Sequence, residues 1–159
     1  MNKAIEFVDP TGPPFVIIIG SSKNWNQPIK VVDATKNVEQ QVLQIVNQER
    51  AKAGLPELAM NWELQRTART KSCDMAAKGY FSHQSPTYGS PFDMMKAFGI
   101  SYRTAGENIA KGQRTAAEVM QSWMNSSGHR ANILKRDFTH IGVGYCESGK
   151  HRTQMFIGK

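Results

Sequence analysis

The stretch that decides the fold class is His140-Ile-Gly-Val-Gly-Tyr-Cys-Glu-Ser-Gly-Lys-His-Arg-Thr-Gln-Met-Phe-Ile157. It contains two strand-like segments, residues 140–145 and 153–157, which are rich in β-branched and aromatic residues. The gap between the segments contains Gly149 and has the length of a hairpin loop. The sequence therefore predicts an antiparallel hairpin at the end of the chain.

Helical signals dominate the sequence upstream of this hairpin. Apolar residues recur at helical spacing over residues 38–46, and Gly54 ends that helix. A second helix is predicted over residues 61–78, with Gly79 as its stop. Two further start signals are Ser90-Pro91 and the capping box Thr115-Ala-Ala-Glu118. Several helices followed by a hairpin predict an α+β fold rather than alternating βαβ units.

The first part of the chain differs in character from the rest. Glycine, proline, serine and asparagine interrupt two short β-like stretches, residues 15–19 and 29–32. We interpret residues 1–36 as an N-terminal extension, made of short β segments or a linker, and residues 37–159 as one domain.

The chain is basic, with 20 Lys and Arg against 13 Asp and Glu, a net charge of +7 over 159 residues. These charges form no long run, which is typical of a solvated basic surface rather than of a nucleic-acid groove. We therefore predict no nucleic-acid partner, whereas an anionic cell wall or lipid surface is compatible with the charge.

Membrane and export signals are not visible in the sequence. The longest apolar run is residues 15–19, whereas a transmembrane helix needs about 20 apolar residues. We expect no transmembrane segment. Acids and a proline stand in the first ten residues, where a signal peptide would be apolar.

Three residues are the candidates for chemistry. His83 lies on a loop between a helix stop and a helix start, where ligands and catalytic groups are often found. Glu107 is the single acid in an otherwise uncharged stretch, and His129 follows the helix that begins at the capping box. No phosphate-binding loop, nucleophile elbow or zinc-protease motif occurs.

Four motifs extend this set: Phe81-Ser-His83 with Ser85-Pro86, Gly106-Glu-Asn-Ile-Ala110, Ser127-Gly-His-Arg-Ala-Asn-Ile-Leu134 and His140-Ile-Gly-Val-Gly144. In this order and spacing, they resemble the CAP superfamily of cysteine-rich secretory, antigen 5 and pathogenesis-related 1 proteins. Residues 37–159 are most similar to the SCP-like extracellular proteins of Gram-positive, Bacillus-type bacteria. The resemblance implies a secreted or cell-envelope protein whose signal peptide is absent from this sequence.

The same resemblance implies an α-β-α sandwich, with a central three-stranded antiparallel sheet between helical layers and a cavity lined by two His and two Glu. His83 and His129 match the two His, which bind a divalent cation, often zinc, in many members. Glu107 matches one Glu, and Ser126 stands where the family's other Glu would lie. The cavity set is therefore His83, Glu107, Ser126 and His129, and its second carboxylate is missing.

The chemistry of this trio has several readings. His83 and His129 could hold zinc with water in the open positions, and purified protein could be metal-free. Glu107 could then be a third ligand, an acceptor that orients an imidazole, or a catalytic general base. Alternatively, His83, Glu107 and His129 form a buried polar network that only stabilises the fold.

These readings lead to three functions. The first, which we favour, is a non-enzymatic binding module for a cation or a small ligand, with a cell-wall, peptide or lipid partner. The second is a zinc-assisted, peptidase-like hydrolase that uses Glu107 as its base. The third is lipid or sterol binding, which is credited to members of the wider family.

The remaining residues are assigned structural roles. Cys73 and Cys146 could form a bridge, but the sequence cannot place them close together, and free thiols are the favoured expectation. His140 and His151 are expected on the surface or on strands. The aromatic residues expected in the core are Trp62, Phe81, Phe92, Trp123 and Tyr145.

Overall fold

The computed structural model describes residues 37–159, so the predicted strands at residues 15–19 and 29–32 lie outside the described residues. The interpretation of residues 1–36 as an extension therefore stays a prediction. The helices are α1 (Val38–Lys52), α2 (Trp62–Lys78), α3 (Pro91–Ala97), α4 (Ala116–Met124) and α5 (Ser127–Ile133). The strands are β1 (Ala59–Met60), β2 (Thr104–Lys111), β3 (His140–Cys146) and β4 (His151–Gly158), and a 3₁₀ turn, Ser148–Lys150, joins β3 to β4.

Side chains cap the helices at the predicted positions. The Asn61 side chain accepts a hydrogen bond from the Leu64 amide (2.8 Å), and Gly79 ends α2 in the left-handed conformation (φ 69°). At the start of α4, the Thr115 hydroxyl accepts a hydrogen bond from the Glu118 amide (3.0 Å). The Glu118 carboxylate accepts a hydrogen bond from the Arg114 amide rather than from the Thr115 amide. Only one of the two hydrogen bonds of the predicted capping box therefore forms.

The sheet has four strands in the order β1-β3-β4-β2. Strands β3, β4 and β2 are antiparallel, whereas β1 runs parallel to β3. The predicted three-stranded antiparallel sheet is therefore wrong, because the described sheet is mixed and carries an extra edge strand. β1 pairs only Ala59 with His140 and Met60 with Ile141, and two residues are too short for a periodic sequence signal.

Two elements lie where the sequence shows no regular pattern. β2 pairs with β4 along its whole length, from Thr104 opposite Gly158 to Lys111 opposite His151. Its central residues are buried, so β2 lacks the apolar–polar alternation of a half-exposed strand. α5 follows α4 after a short break, so His129 lies on a separate helix after the one that begins at the capping box.

Helices cover both faces of this sheet, as an α-β-α sandwich requires. Alternation along β4 directs Met155 and Ile157 toward the face under α2 and α3, and Phe156 toward the face under α1 and α4. The first cluster includes Leu64, Ala68, Met94 and Met95. The second includes Val42, Ile45, Val46, Val119, Met120 and Trp123.

Two glycines allow α2 to lie directly on β3. A Cβ atom at Gly142 would lie 2.3 Å from the backbone carbonyl carbon of Leu64, and one at Gly144 would lie 2.3 Å from that of Ala68. No side chain fits at either position, so the Gly-x-Gly pattern in this strand serves helix–sheet packing. Ser72 on α2 also contacts β3, because its hydroxyl donates to the Gly144 carbonyl (3.3 Å).

Cys73 and Cys146 form a disulfide, with 5.1 Å between their Cα atoms, so the expectation of free thiols is wrong. The reason is the close packing of α2 on β3. Cys73 follows Ser72, which contacts β3 two residues before Cys146. The sequence separation of 73 residues hides this proximity.

Three further expectations about burial have different outcomes. Trp123 is buried, as predicted, whereas Trp62 is 68% exposed because it lies on the solvent side of the first turn of α2. Phe81, Phe92 and Tyr145 are partly buried. His140 and His151 both begin strands, but His151 is buried rather than on the surface, since its Nδ1 contacts the Ser148 carbonyl (2.9 Å). None of the described helices is long and apolar enough to cross a membrane.

Candidate functional site

The structure brings His83 and Glu107 into contact. Glu107 lies in the middle of β2 opposite Met155, which directs its side chain to the sheet face under α2. The loop after α2 returns over this face and carries His83. His83 Nδ1 lies 2.7 Å from Glu107 Oε1, and the Glu107 side chain is only 1% exposed. A buried carboxylate therefore holds one edge of the imidazole.

Lys71 supports this contact and was not identified from the sequence. Its ammonium is buried, donates to the His83 carbonyl (2.7 Å) and lies 5.4 Å from the centre of the Tyr80 ring. Burial lowers the pKa of Lys71, and the nearby Glu107 and Asp74 charges raise it in part. A signal did exist, because Lys71 occupies the buried stripe of α2 at the i+7 position from Leu64.

Asp74 anchors the loop that carries His83. The Asp74 carboxylate accepts hydrogen bonds from the Tyr80 hydroxyl (2.6 Å) and the Ser85 hydroxyl (2.8 Å), and it pairs with Lys78 (3.2 Å). Burial alone would raise the pKa of Asp74, but these hydrogen bonds and the Lys78 charge together lower it. Burial and the contact with Asp74 raise the pKa of Tyr80, so this phenol stays a hydrogen-bond donor.

His129 is fully buried on α5, and its Nδ1 lies 2.9 Å from the Ser126 hydroxyl oxygen. Ser126 is the residue just before α5, so one turn of backbone brings the two groups together. The Ser126 hydroxyl therefore contacts Nδ1 of His129, the same ring atom through which His83 contacts Glu107.

An amide network ties α5 to the sheet. The Asn108 side chain on β2 donates to the His129 carbonyl (3.1 Å) and to the Gln154 side chain (2.9 Å), and it accepts from Asn132 (2.9 Å). Asn108, Asn132 and Gln154 are all buried. The two asparagines lie on β2 and on α5, and their hydrogen bonds position His129 relative to β2.

Both imidazoles use Nδ1 for a neighbouring side chain. A proton on His83 Nδ1 would be donated to the Glu107 carboxylate, which leaves the lone pair on Nε2. The Ser126 hydroxyl can hold His129 in the same tautomer. In this arrangement the lone pair of each ring would lie on Nε2, and the Glu107 carboxylate orients the His83 imidazole.

The fit to a metal ion is partial. Between residues 37 and 159, no three His, Cys, Asp or Glu side chains converge as a metal-binding group. His83 and His129 supply imidazoles, the ligand type that zinc accepts, but a stable protein site has three or four protein ligands. Any site here would therefore be weak and open to water.

Two grooves elsewhere on the surface do not belong to this site. One, of about 470 Å³, follows the side of α1 from Gln40 to Ala51. The other, of about 380 Å³, is lined by residues of α2 from Arg66 to Asp74, among them the disulfide-bonded Cys73. Neither is lined by His83, Glu107 or His129, so nothing in these grooves supports a lipid cavity at the site.

Comparisons with known proteins are consistent with the motifs. The family model CAP, the cysteine-rich secretory protein family, matches residues 43–158. The chain is 64% identical over 139 residues to the uncharacterized protein YkwD of Bacillus subtilis (strain 168). This match covers 87% of this chain and 54% of YkwD. It is 39% identical over 119 residues to the uncharacterized membrane protein YlbC of the same strain, in a match that covers 75% of this chain and 34% of YlbC. The chain thus spans about half or less of these relatives' length.

Solved structures give the same result. A crystal structure of an extracellular protein containing a SCP domain from Bacillus anthracis str. Ames has a TM-score of 0.74 and 39% identity, over 76% of this chain and 40% of that chain. An outer surface protein from Borrelia burgdorferi has a TM-score of 0.72 at 17% identity, over 81% of this chain and 98% of that chain, and supports the fold alone.

Proposed function

Because this chain belongs to the CAP, or cysteine-rich secretory protein, family, we propose that it acts outside the cytoplasm as a binding module. In this proposal His83 and His129 receive a divalent cation or a small ligand. The Bacillus anthracis neighbour, which is described as an extracellular protein, supports the compartment.

The observation that carries the proposal is the 2.7 Å contact between His83 Nδ1 and the buried Glu107 carboxylate. Metal-binding imidazoles usually donate their second N–H to a carboxylate or another acceptor, which fixes the tautomer and the direction of the ligand atom. The Ser126 contact to His129 Nδ1 has the same form. In each case a neighbouring oxygen fixes one edge of the ring, and the proposal takes this orientation as support for ligand binding over a role in folding alone.

Zinc is the cation that suits this donor set, since imidazole is among its preferred ligands. His83 and His129 would hold it, and the ion would supply Lewis acidity to a bound group. Glu107 keeps His83 in the correct tautomer, and Lys71 places a positive charge near the same carboxylate. That charge opposes a second cation, so we expect weak binding.

The test is a titration with Zn²⁺ and with Co²⁺, whose absorption spectrum reports imidazole ligation. The full chain should bind one equivalent, and the variant His83→Ala/His129→Ala should bind none. Glu107→Gln should weaken binding by about 10–100-fold, the usual cost of losing an orienting partner. His140→Ala is the matched control and should bind like the parent, because His140 contacts Thr139 and is not part of the site. Zinc affinity that survives in the double variant would disprove the cation proposal.

A small-molecule screen by thermal shift covers the second ligand class. A ligand at one hundred times its Kd should stabilise the folded chain by about 2.7 kcal/mol, and the double variant should lose this shift. Peptide or cell-wall substrates turned over by the zinc-loaded parent, but not by Glu107→Gln, would instead support the hydrolase. No observation in the described residues favours that activity, because Glu107 is already bonded to His83.

A further inference from the structure

Arg152 is a buried cation on the sheet face opposite to the one that carries the Glu107 side chain. It lies near the start of β4, opposite Ala110 on β2 and Tyr145 on β3. Alternation along β4 places its side chain on the same face as Phe156, under α1 and α4. The residue is only 1% exposed. Charged side chains are almost never buried to this extent unless a partner compensates the charge.

Two contacts fix the Arg152 guanidinium and leave one of its edges open. Nη1 donates to the Gln113 carbonyl (2.7 Å), and the central carbon lies 4.6 Å from the centre of the Tyr145 ring. Nε and Nη2 are buried and have no hydrogen-bond partner among residues 37–159. These two nitrogens share one edge of a rigid, planar group. That edge can donate two parallel hydrogen bonds to a single ligand.

Arg50, which is also buried, shows the contrast. Its Nε and Nη1 donate to the carbonyls of Pro56 (2.9 Å) and Ile133 (2.9 Å), and its Nη2 donates to the carbonyl of Phe138 (3.5 Å). Every nitrogen of Arg50 therefore has a carbonyl acceptor, as expected of a guanidinium that stabilises the fold. Arg152 has a carbonyl acceptor for one of its three nitrogens, so a role in the fold does not account for its open edge.

Gln113, whose carbonyl holds the guanidinium, adds a second polar group without a partner. Its side chain is fully buried, and neither the amide oxygen nor the amide nitrogen has a hydrogen-bond partner within the described part of the chain. A buried amide without a partner costs free energy. Two residues in direct contact, Arg152 and Gln113, therefore both carry buried polar atoms that the described residues do not satisfy.

The charge of Arg152 is not compensated by a carboxylate in contact with it. None of the ion pairs formed between residues 37 and 159 includes Arg152. Burial lowers the pKa of Arg152 to about 10, so the group still carries its charge at neutral pH. Two acids lie nearby but are hydrogen-bonded elsewhere. Glu118 accepts from the Arg114 amide (2.7 Å), and Glu147 accepts from the Tyr145 hydroxyl (2.9 Å).

We propose that the open edge of Arg152, with Gln113 beside it, binds a small monocarboxylate. A carboxylate accepts two parallel hydrogen bonds from a guanidinium and brings one negative charge. The nearby Glu118 and Glu147 carboxylates oppose a ligand with two negative charges, such as phosphate. Tyr145 is only partly buried and Glu147 is exposed, so the site lies close to the surface. This site is separate from the His83 site and does not depend on the function proposed for it.

The experiment follows the arginine Nε–H signals of the isotope-labelled full chain by NMR during a titration with sodium acetate. Sodium phosphate and sodium chloride at matched ionic strength are separate arms. Arg152→Met removes the guanidinium, a replacement that buried charged sites often tolerate. Arg152→Lys keeps the charge without the two-pronged edge. Arg103→Met is the matched control, because Arg103 is exposed and precedes the opposite end of β2. Circular dichroism confirms that the variants are folded.

We expect acetate to shift one Nε–H signal with saturation, and this signal should be absent from Arg152→Met. The Arg50 signal should not move, because its nitrogens already have acceptors. Arg152→Lys should bind acetate at least about tenfold more weakly, since an ammonium cannot donate from a planar edge, and Arg103→Met should bind like the parent. His83→Ala/His129→Ala should also bind acetate like the parent, so this proposal and the cation proposal fail separately.

Four results would overturn the inference. The absence of any acetate-dependent shift of the Arg152 signal would mean that the open edge takes no carboxylate. A shift that grows without saturation, or that chloride reproduces, would indicate an adventitious ion only. Tighter binding of phosphate than of acetate would contradict the assignment to a monocarboxylate. Equal acetate affinity of Arg152→Lys and the parent would show that the edge of the guanidinium is not the binding group; this comparison does not require Arg152→Met to fold.

Discussion

The disulfide between Cys73 and Cys146 makes a quantitative prediction about stability. The bridge joins α2 to the end of β3 and closes a loop with a sequence separation of 73 residues. In the chain-entropy treatment, a loop of this length stabilises the folded state by about 4.4 kcal/mol, because the bridge restricts the unfolded chain. Measured effects usually fall below this value. We expect Cys73→Ser/Cys146→Ser to lower the free energy of unfolding by about 3–4 kcal/mol.

The assay is urea unfolding of the parent and the double-serine variant, each with and without reductant. The reduced parent and the double variant should have the same midpoint, since both lack the bridge. In thermal unfolding, the same loss of about 3–4 kcal/mol should lower the melting temperature of the double variant by about 6–16 °C relative to the oxidised parent, for a chain of this size. Reductant should have no effect on the double variant, which makes that variant the control for side effects of the reagent.

A difference below about 0.5 kcal/mol between oxidised and reduced parent would refute this reasoning. That result would mean that the thiols are unpaired in solution or that the unfolded chain is already restricted there. The bridge also concerns the compartment, because structural disulfides persist in oxidising surroundings. Strong dependence of stability on the bridge would therefore agree with a protein that folds outside the cytoplasm.

Two further predictions test the packing around the site. Gly144→Ala should destabilise the fold by about 3 kcal/mol or more in urea unfolding, because its Cβ would overlap the backbone of Ala68 at 2.3 Å; a cost under about 1 kcal/mol would show that α2 can move away. Asp74 has a lowered folded-state pKa, so its stabilising contribution is present above its ordinary pKa of about 3.8 and is lost as the pH falls below it. The difference in unfolding free energy between the parent and Asp74→Asn should be constant near neutral pH and shrink below about pH 4, and a constant difference down to about pH 2 would contradict this.

Much of the fold was predictable because local signals specify it. Helix α2 begins after Asn61 and ends at Gly79, as the sequence predicts, because helix capping depends on residues within one turn. The hairpin of β3 and β4 is likewise confirmed. β1 could not be predicted because two residues give no periodic pattern. The disulfide could not be predicted because it depends on how α2 lies across β3, which no local pattern records.

The site was predictable to the extent that its residues form motifs. The sequence names His83, Glu107 and His129, but it does not show which group orients which ring. Lys71 was missed because a charged residue on an amphipathic helix is ordinarily assigned to the solvent side. Its position in the apolar stripe of α2 was the only available signal, and the buried bond to the His83 carbonyl explains it.

Ser126 stands where the resemblance drawn from the sequence implies a second carboxylate. A hydroxyl can fix the His129 imidazole, as the 2.9 Å contact indicates, but it adds no charge. The set therefore has one carboxylate for two imidazoles, and the Lys71 ammonium offsets that carboxylate. A site near zero net charge attracts a divalent cation less strongly than one with two carboxylates, because the cation gains less Coulomb energy in the low-dielectric interior. One carboxylate beside one ammonium therefore attracts a metal ion less than two carboxylates would, which is why the proposal keeps a small polar ligand as the alternative occupant.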